Sequence, residues 1–248
     1  MSGDGPDLLF LHGGSHGSWC WRPLIQLLED SRYTGRLIAL DMPGCGAKRG
    51  QHAAAETLGS IAAALNAELR SAGIDHAALI GHSIAGALMP IMAAADPALF
   101  SRLIFLAASA PNEGESVAGM MGTGVHGEDP AKVGFPLDPK TTPVADLCLA
   151  MFGPDLSEPQ LASLMKEVAL DVTPPALFQE PVSRDNYPAG HRASYILTTR
   201  DPILPPAWQR RFADRLACEA VIDLDAPHEP FLSHPSDLAA VLLRILAA

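Results

Sequence analysis

The stretch Ala77-Ala78-Leu79-Ile80-Gly81-His82-Ser83-Ile84-Ala85-Gly86-Ala87-Leu88 decides the fold class of this chain. It begins as a short apolar run with strand character and ends as an Ala-rich run with helix character. Between the two lies Gly81-x-Ser83-x-Ala85-Gly86. A serine on a sharp strand-to-helix turn stands exposed at the strand end, and small neighbours let strand and helix pass closely. The next helix aims free N–H groups and partial positive charge at the place where an oxyanion would form. The pattern expects glycine where Ala85 stands, with Gly86 directly after it. By itself the motif also fits a serine that only caps a buried helix, so the rest of the chain decides.

With 248 residues, 48% hydrophobic and 18% charged, the chain suits one large domain, or one domain with an insertion. A formal charge of −11 argues against nucleic acid or an anionic membrane surface as partner. No run is long and apolar enough to span a bilayer. Met1-Ser2-Gly3-Asp4-Gly5-Pro6-Asp7 lacks the basic and apolar regions of a signal peptide. Cys20, Cys45, Cys148 and Cys218 are scattered, which is neither a disulfide framework nor a zinc site. A cytoplasmic location is therefore expected, with no metal and no organic cofactor. A homodimer is compatible with the sequence, which does not set the oligomeric state.

Outward from the serine, apolar runs and helical patterns alternate. Leu8 to Leu11 reads as a buried parallel strand running into the Gly-rich turn His12-Gly13-Gly14-Ser15-His16-Gly17. Its glycines lack dinucleotide spacing. Trp19 to Leu28 comes next as a helix, then Leu37 to Leu40 as a second buried strand, and Thr57 to Ala72 as a helix with Leu58, Ile61, Ala62, Leu65 and Leu69 on one face. The serine-turn helix runs to about Ala95, and Leu103 to Ala107 is the next strand. Ala193 to Thr198 and Ala220 to Leu224 are later strands, with helices over Pro206 to Leu216 and Leu238 to Leu246. This alternation predicts an α/β fold with a parallel, doubly wound sheet.

Residues 111–188 break the alternation. The segment is rich in Pro, Gly, Met and Phe, is too long for a loop, and holds helical patterns at Val144 to Phe152 and Pro159 to Ala169. It reads as a helical cap inserted into a core made of residues 1–110 and 189–248. The candidate pocket residues are Gly13, His82, Met120, Met121, Phe135, Met151, Phe152 and Phe178, with plain packing as the competing role for each Met and Phe.

Ligands of an open parallel sheet bind beyond the C-terminal strand ends. Three such ends carry Ser83, Asp201 and His228, in the chain order of a nucleophile–acid–base triad. The hydroxyl needs a base, the imidazole titrates near neutrality, and the carboxylate sets its tautomer. Asp201 alone also suits a turn before Pro202; Asp223 and Asp225 are weaker acids, sharing a strand and loop with His228. His12 and His16 are read as orienting the Gly-rich turn. The oxyanion donors expected by position are the N–H groups of Ile84 and Gly14.

These residues together resemble the α/β-hydrolase superfamily. More narrowly, the sequence is similar to the branch of plant methylesterases, hydroxynitrile lyases and bacterial esterases. The carriers are the segments from Leu11 to Trp21, from Leu40 to Gly46 and from Gly81 to Gly86, with the Asp201 and His228 turns. The resemblance fades across 111–188. It implies a small-molecule carboxylic ester as substrate. The lyases of that branch use a threonine after the first histidine of the Gly-rich turn and a lysine after the base; here those positions are Gly13 and Glu229. A glutamate beside a developing anion would oppose it, so the resemblance implies the esterase side. Carbon–carbon bond cleavage with the same triad, and a ligand-binding module without catalysis, are the alternatives.

Overall fold

A computed structural model describes residues 5–185, 187 and 191–247. The segment Met1 to Asp4 and the expected boundary at 188/189 lie outside them. The strands are β1 (Leu8–Leu11), β2 (Leu37–Leu40), β3 (Ala77–His82), β4 (Phe100–Leu106), β5 (Ala193–Thr198) and β6 (Ala220–Leu224). They form one sheet in the order β2-β1-β3-β4-β5-β6, and every pairing is parallel. The order reverses between β1 and β3, so the crevice at that switch point opens beside the loops at the ends of those two strands.

Helices cover both faces. On one lie α2 (Leu58–Ser71), α3 (Ala85–Ala95) and α8 (Pro206–Arg215); on the other lie α1 (Arg22–Asp30), α9 (Pro230–Ser233) and α10 (Pro235–Ala247). The central strands are apolar throughout because alternate residues point to opposite helical layers. Leu9, Leu11, Ala77 and Leu79 join the first core; Leu8, Phe10, Ala78 and Ile80 join the second. Thr57 caps α2 in a reciprocal box with Ser60, which places Leu58, Ile61, Ala62, Leu65 and Leu69 inward as the periodicity predicts.

Some expectations need correction. A tight 3-10 turn takes Ser18–Trp21, and α1 begins only at Arg22, with Pro23 in its first turn. β2 and β6 are sheet edges, so β2 is mostly half-buried and β6 largely exposed, not buried on two faces. The last helix starts at Pro235, not Leu238, and Ser233 belongs to the short α9 before it. Between β4 and β5 the described residues form four helices: α4 (Val117–Met121), α5 (Val144–Phe152), α6 (Glu158–Val168) and α7 (Pro175–Gln179). α4 and α7 are five residues each, too short to leave a readable period.

Candidate active site

Ser83 comes directly after β3 with φ at +53°, a left-handed conformation that costs a serine roughly 1–3 kcal/mol. The surroundings over-determine it. Its N–H donates to Leu106 O at 3.2 Å, and its carbonyl accepts from Gly86 N at 3.0 Å and Ser109 N at 2.9 Å. The small residues are required by close approach. A Cβ on Gly81 would sit 2.1 Å from Met89 Sδ, and one on Gly86 would sit 2.4 Å from the Ser109 carbonyl oxygen. The tight contact of this helix thus falls at Gly86. Ala85 is accommodated because Gly81, across from it, has no side chain.

His228 and Asp201 meet under the same strand ends. His228 Nδ1 lies 2.7 Å from Asp201 Oδ2, with both side chains buried. Asp201 Oδ1 accepts the N–H groups of Ile203 and Leu204 at 2.8 and 2.9 Å, and Oδ2 also takes the Thr198 hydroxyl at 2.7 Å and Gln209 Nε2 at 3.2 Å. His228 Nδ1 faces that acceptor, so Nδ1 carries the hydrogen and Nε2 keeps its lone pair. Among the described residues Nε2 makes no hydrogen bond, Ser83 Oγ included. Burial alone would lower the His228 pKa, but the charge of Asp201 and its hydrogen bond carry it above the ordinary 6.5. Asp223 and Asp225, the weaker candidates, point outward and pair with Arg210 and Arg200.

The Gly-rich turn is held by its own histidines. Met42 N–H donates to His12 Nε2 at 3.0 Å, so His12 Nδ1 bears the hydrogen and donates to the Gly13 carbonyl at 2.8 Å. That carbonyl shares a trans peptide with the Gly14 N–H, which points the opposite way. His16 Nδ1 donates to the Gly14 carbonyl at 2.7 Å, and Ser15 N donates to Thr173 Oγ1 at 2.6 Å. The N–H groups of Gly14 and Ile84 donate to no other protein atom among the described residues. Both are free for a ligand.

Gly14, Ser83 and Ile84 line one cavity of about 440 Å³. Its remaining wall is largely apolar and comes from α4, α5, α7 and their loops. Met121, Phe135, Met151, Phe152 and Phe178 are there, as expected; Val117, Leu147, Ile203 and Leu204 join them. No Lys, Arg, Asp or Glu lines it. Three expected lining residues are elsewhere. Met120 is buried in the core, because its neighbour Met121 takes the cavity-facing side of α4 and successive helical residues are about 100° apart. Gly13 packs against the His82 ring, where a Cβ would lie 2.8 Å from Nδ1. His82 turns into the molecule and donates Nε2–H to the His228 carbonyl at 2.9 Å.

The model of the alpha/beta hydrolase family matches residues 8–241. The chain belongs to that family. It is 27% identical to salicylic acid-binding protein 2 of Nicotiana tabacum, over 98% of this chain and 97% of that protein. It is 28% identical to putative methylesterase 11 of Arabidopsis thaliana; the match covers 96% of this chain but spans only 63% of that protein's length. The crystal structure of the Arabidopsis methylesterase MES16 superposes with a TM-score of 0.74 over 98% of this chain and 99% of its own, at 22% identity, a likeness of fold.

Several residues of this hydrolase site left no sequence signal. Asp171, from the segment between α6 and α7, accepts Trp19 Nε1 at 2.7 Å, Gly46 N at 2.8 Å and the Arg49 guanidinium at 2.6 Å. Arg49, its own hydrogen-bond donor, holds it below the usual carboxylate range despite burial, which alone would raise it. Asp41 accepts the Ser18 and Ala47 N–H groups. Gln209 reaches Thr198, Leu204 and Asp201. The partners of Asp171 are remote in sequence, so only a search for buried carboxylates could have flagged it. His82, His228 and Glu229 are the one trio among the described residues whose donor atoms converge, within 4.8 Å. A metal there would consume the His228 Nε2 lone pair, so the set is read as proton-handling.

Proposed function

We propose that this alpha/beta hydrolase is a serine esterase that cleaves a small-to-medium, uncharged, hydrophobic carboxylic ester through an acyl-enzyme. One observation carries the reading: a strained serine opens into an apolar cavity, and His228, its ring 4.5 Å from that of His82 next to the serine in the chain, has Nδ1 tied to a buried carboxylate and Nε2 without a partner among the described residues. Ser83 Oγ attacks the ester carbonyl carbon while His228 Nε2 takes its proton. The imidazolium is stabilised by Asp201. The oxyanion lies between the Gly14 and Ile84 N–H groups. His228 returns the proton to the departing alcohol, then activates the water that releases the acid.

Residues 111–188 act in this reading as the cap. Gly114 N–H to Val182 O at 3.0 Å and Val182 N–H to Glu115 O at 3.1 Å tie the two ends of the segment together, which supports an insertion closed at its base. Carbon–carbon cleavage is disfavoured by Gly13, where a side chain would collide with His82, and by a lining without a cation. A cytoplasmic location is proposed on four free cysteines. Light scattering decides between a monomer and the homodimer that the sequence allows.

Intact-protein mass spectrometry after fluorophosphonate treatment tests the chemistry. One adduct is expected, absent in Ser83→Ala, together with turnover of uncharged aryl and alkyl esters lost in the same variant. Ester turnover that survives Ser83→Ala overturns the reading. Tight ligand binding by a folded protein with no adduct and no turnover would replace it with a binding module.

A further inference from the structure

The mechanism leaves one buried ionisable pair unused. Glu229 is next to His228 in the chain, yet its carboxyl group is outside the cavity lining and only 1% exposed. Its Oε2 lies 3.4 Å from His16 Nε2, which is equally buried. Among the described residues neither Glu229 oxygen nor His16 Nε2 makes a hydrogen bond, and their 3.4 Å approach is a contact, long for a bond. The His16 ring stacks on Trp19 at 5.1 Å and meets the edges of Phe152 and Phe231. The backbone of Glu229 is held too, its carbonyl accepting from Leu232 N, Ser233 N and Ser233 Oγ.

This geometry places the proton. The Gly14 carbonyl can only accept, so His16 Nδ1 must carry the hydrogen it donates at 2.7 Å. A neutral His16 then presents a lone pair at Nε2. The Glu229 carboxyl, 3.4 Å away, faces that lone pair and can serve it only as a carboxylic acid. The ionic alternative, an imidazolium facing a carboxylate, would put charges among three aromatic rings and add a cation beside His12, His82 and His228. We propose that Glu229 is a positioning residue for the oxyanion loop: as an uncharged carboxylic acid it donates to His16 Nε2, and through His16 Nδ1–H it holds the Gly14 carbonyl and the turn that carries the Gly14 N–H.

The consequence is a second limb in the pH profile. This inference rests on the esterase reading of the site. The groups that face Glu229 are His16 and Cys20 from the region after β1, His82 at the end of β3, and His228 with Asp201. Burial pushes Glu229 up to about 8 and pulls His16 down to about 4. Burial also carries the Cys20 thiol far upward, and holds His82 far below its ordinary value. Glu229 therefore changes charge in the mildly alkaline range. When its proton is lost to solvent, a carboxylate faces the His16 lone pair, the contact becomes repulsive, and the Gly14 turn loses its brace. The new negative charge also favours the protonated, inactive His228.

The test is the rate of Ser83 phosphonylation by a fluorophosphonate between about pH 7 and about pH 10, tracked by intact mass. The wild-type rate is expected to fall above about pH 8, approaching about tenfold per unit. Glu229→Gln keeps a donor for His16 and cannot ionise, so its rate is expected to stay level over that range. A level wild-type profile, or an equal fall in Glu229→Gln, overturns the proposal. Infrared difference spectra of the wild type give a measurement that needs no variant to fold. A protonated-carboxylic-acid carbonyl band that disappears on titration through about pH 8 supports the assignment, and no such band overturns it. Failure of Ser83 to react at any pH would sink the esterase reading instead, and the infrared titration would still decide where the Glu229 proton is.

Discussion

In the proposed mechanism Ser83, Asp201 and His228 divide the chemistry so that each substitution has its own signature. In Asp201→Asn the carboxamide can turn an N–H toward His228 Nδ1 and force the hydrogen onto Nε2. Ester hydrolysis is expected to drop by about 10³–10⁴ in kcat, with folding intact by circular dichroism. The upward shift of His228 sets the acid side of the pH profile. The base works only when neutral, so activity is lost as pH falls through a value above the ordinary 6.5, read from kcat/KM against pH. His12 acts at one remove. Without it the Gly13–Gly14 peptide can rotate, and His12→Ala is expected to lower kcat roughly ten- to a hundredfold, less than deleting a donor outright, with KM little changed. The three residues proposed as the triad stand out in the sequence because each follows a recognisable strand. Glu229 was legible only as a residue type: the sequence placed a negative charge beside the reaction, whereas burial outside the cavity and a pKa of about 8 leave the group largely neutral at about pH 7.

Among the elements, the β3–α3 pair holds the serine and the segment between β4 and β5 holds the loops around it. Gly86→Ala drives a methyl into the Ser109 carbonyl, 2.4 Å away. It is expected to cost about 1–3 kcal/mol by denaturant titration, because backbone rather than a flexible side chain must yield. Asp171 ties the chain just beyond α6 to the turns after β1 and β2. Asp171→Asn leaves Arg49 without its best partner and is expected to lower stability by roughly 1–3 kcal/mol, well below the cost of breaking a fully buried pair, since Arg49 is partly exposed. A fall in Tm together with faster proteolysis between α6 and α7 would show it; an unchanged Tm would argue that water replaces the carboxylate. The long helix α2 was readable from period and cap and α3 from its Ala-rich apolar run after the serine, and α4 and α7 were not, because one turn carries no period.

At the scale of the whole molecule, opposite pKa shifts shape stability against pH. Glu229 has a folded pKa raised from 4.5 to about 8, so its share of stability is complete below 4.5 and is lost as pH climbs toward 8. His16 is lowered from 6.5 to about 4, so its share is complete above 6.5 and is lost as pH falls toward 4. Between the two ordinary values the trends cancel. The expected Tm profile is therefore level there and declines on both sides, the alkaline arm worth on the order of a few kcal/mol. Glu229→Gln should remove the alkaline decline and leave the acid one. The cavity makes a separate prediction. Met121→Trp fills apolar space without adding charge, and should shift preference on a homologous p-nitrophenyl ester series toward shorter acyl chains.

The sequence by itself determined the parallel sheet, the serine turn and the order of the triad, because strand ends, buried apolar runs and helix periods are local patterns set by chain geometry. It also located the segment that walls the cavity, through a change in composition. Only the tertiary structure decided which of two adjacent methionines meets the cavity, that His82 faces inward, and that Asp171 serves turns far from it in sequence. It likewise decided the charge of Glu229. Burial and the identity of the nearest partner are properties of the packed molecule, and they set the free energy of a charge more strongly than the residue's own chemistry does.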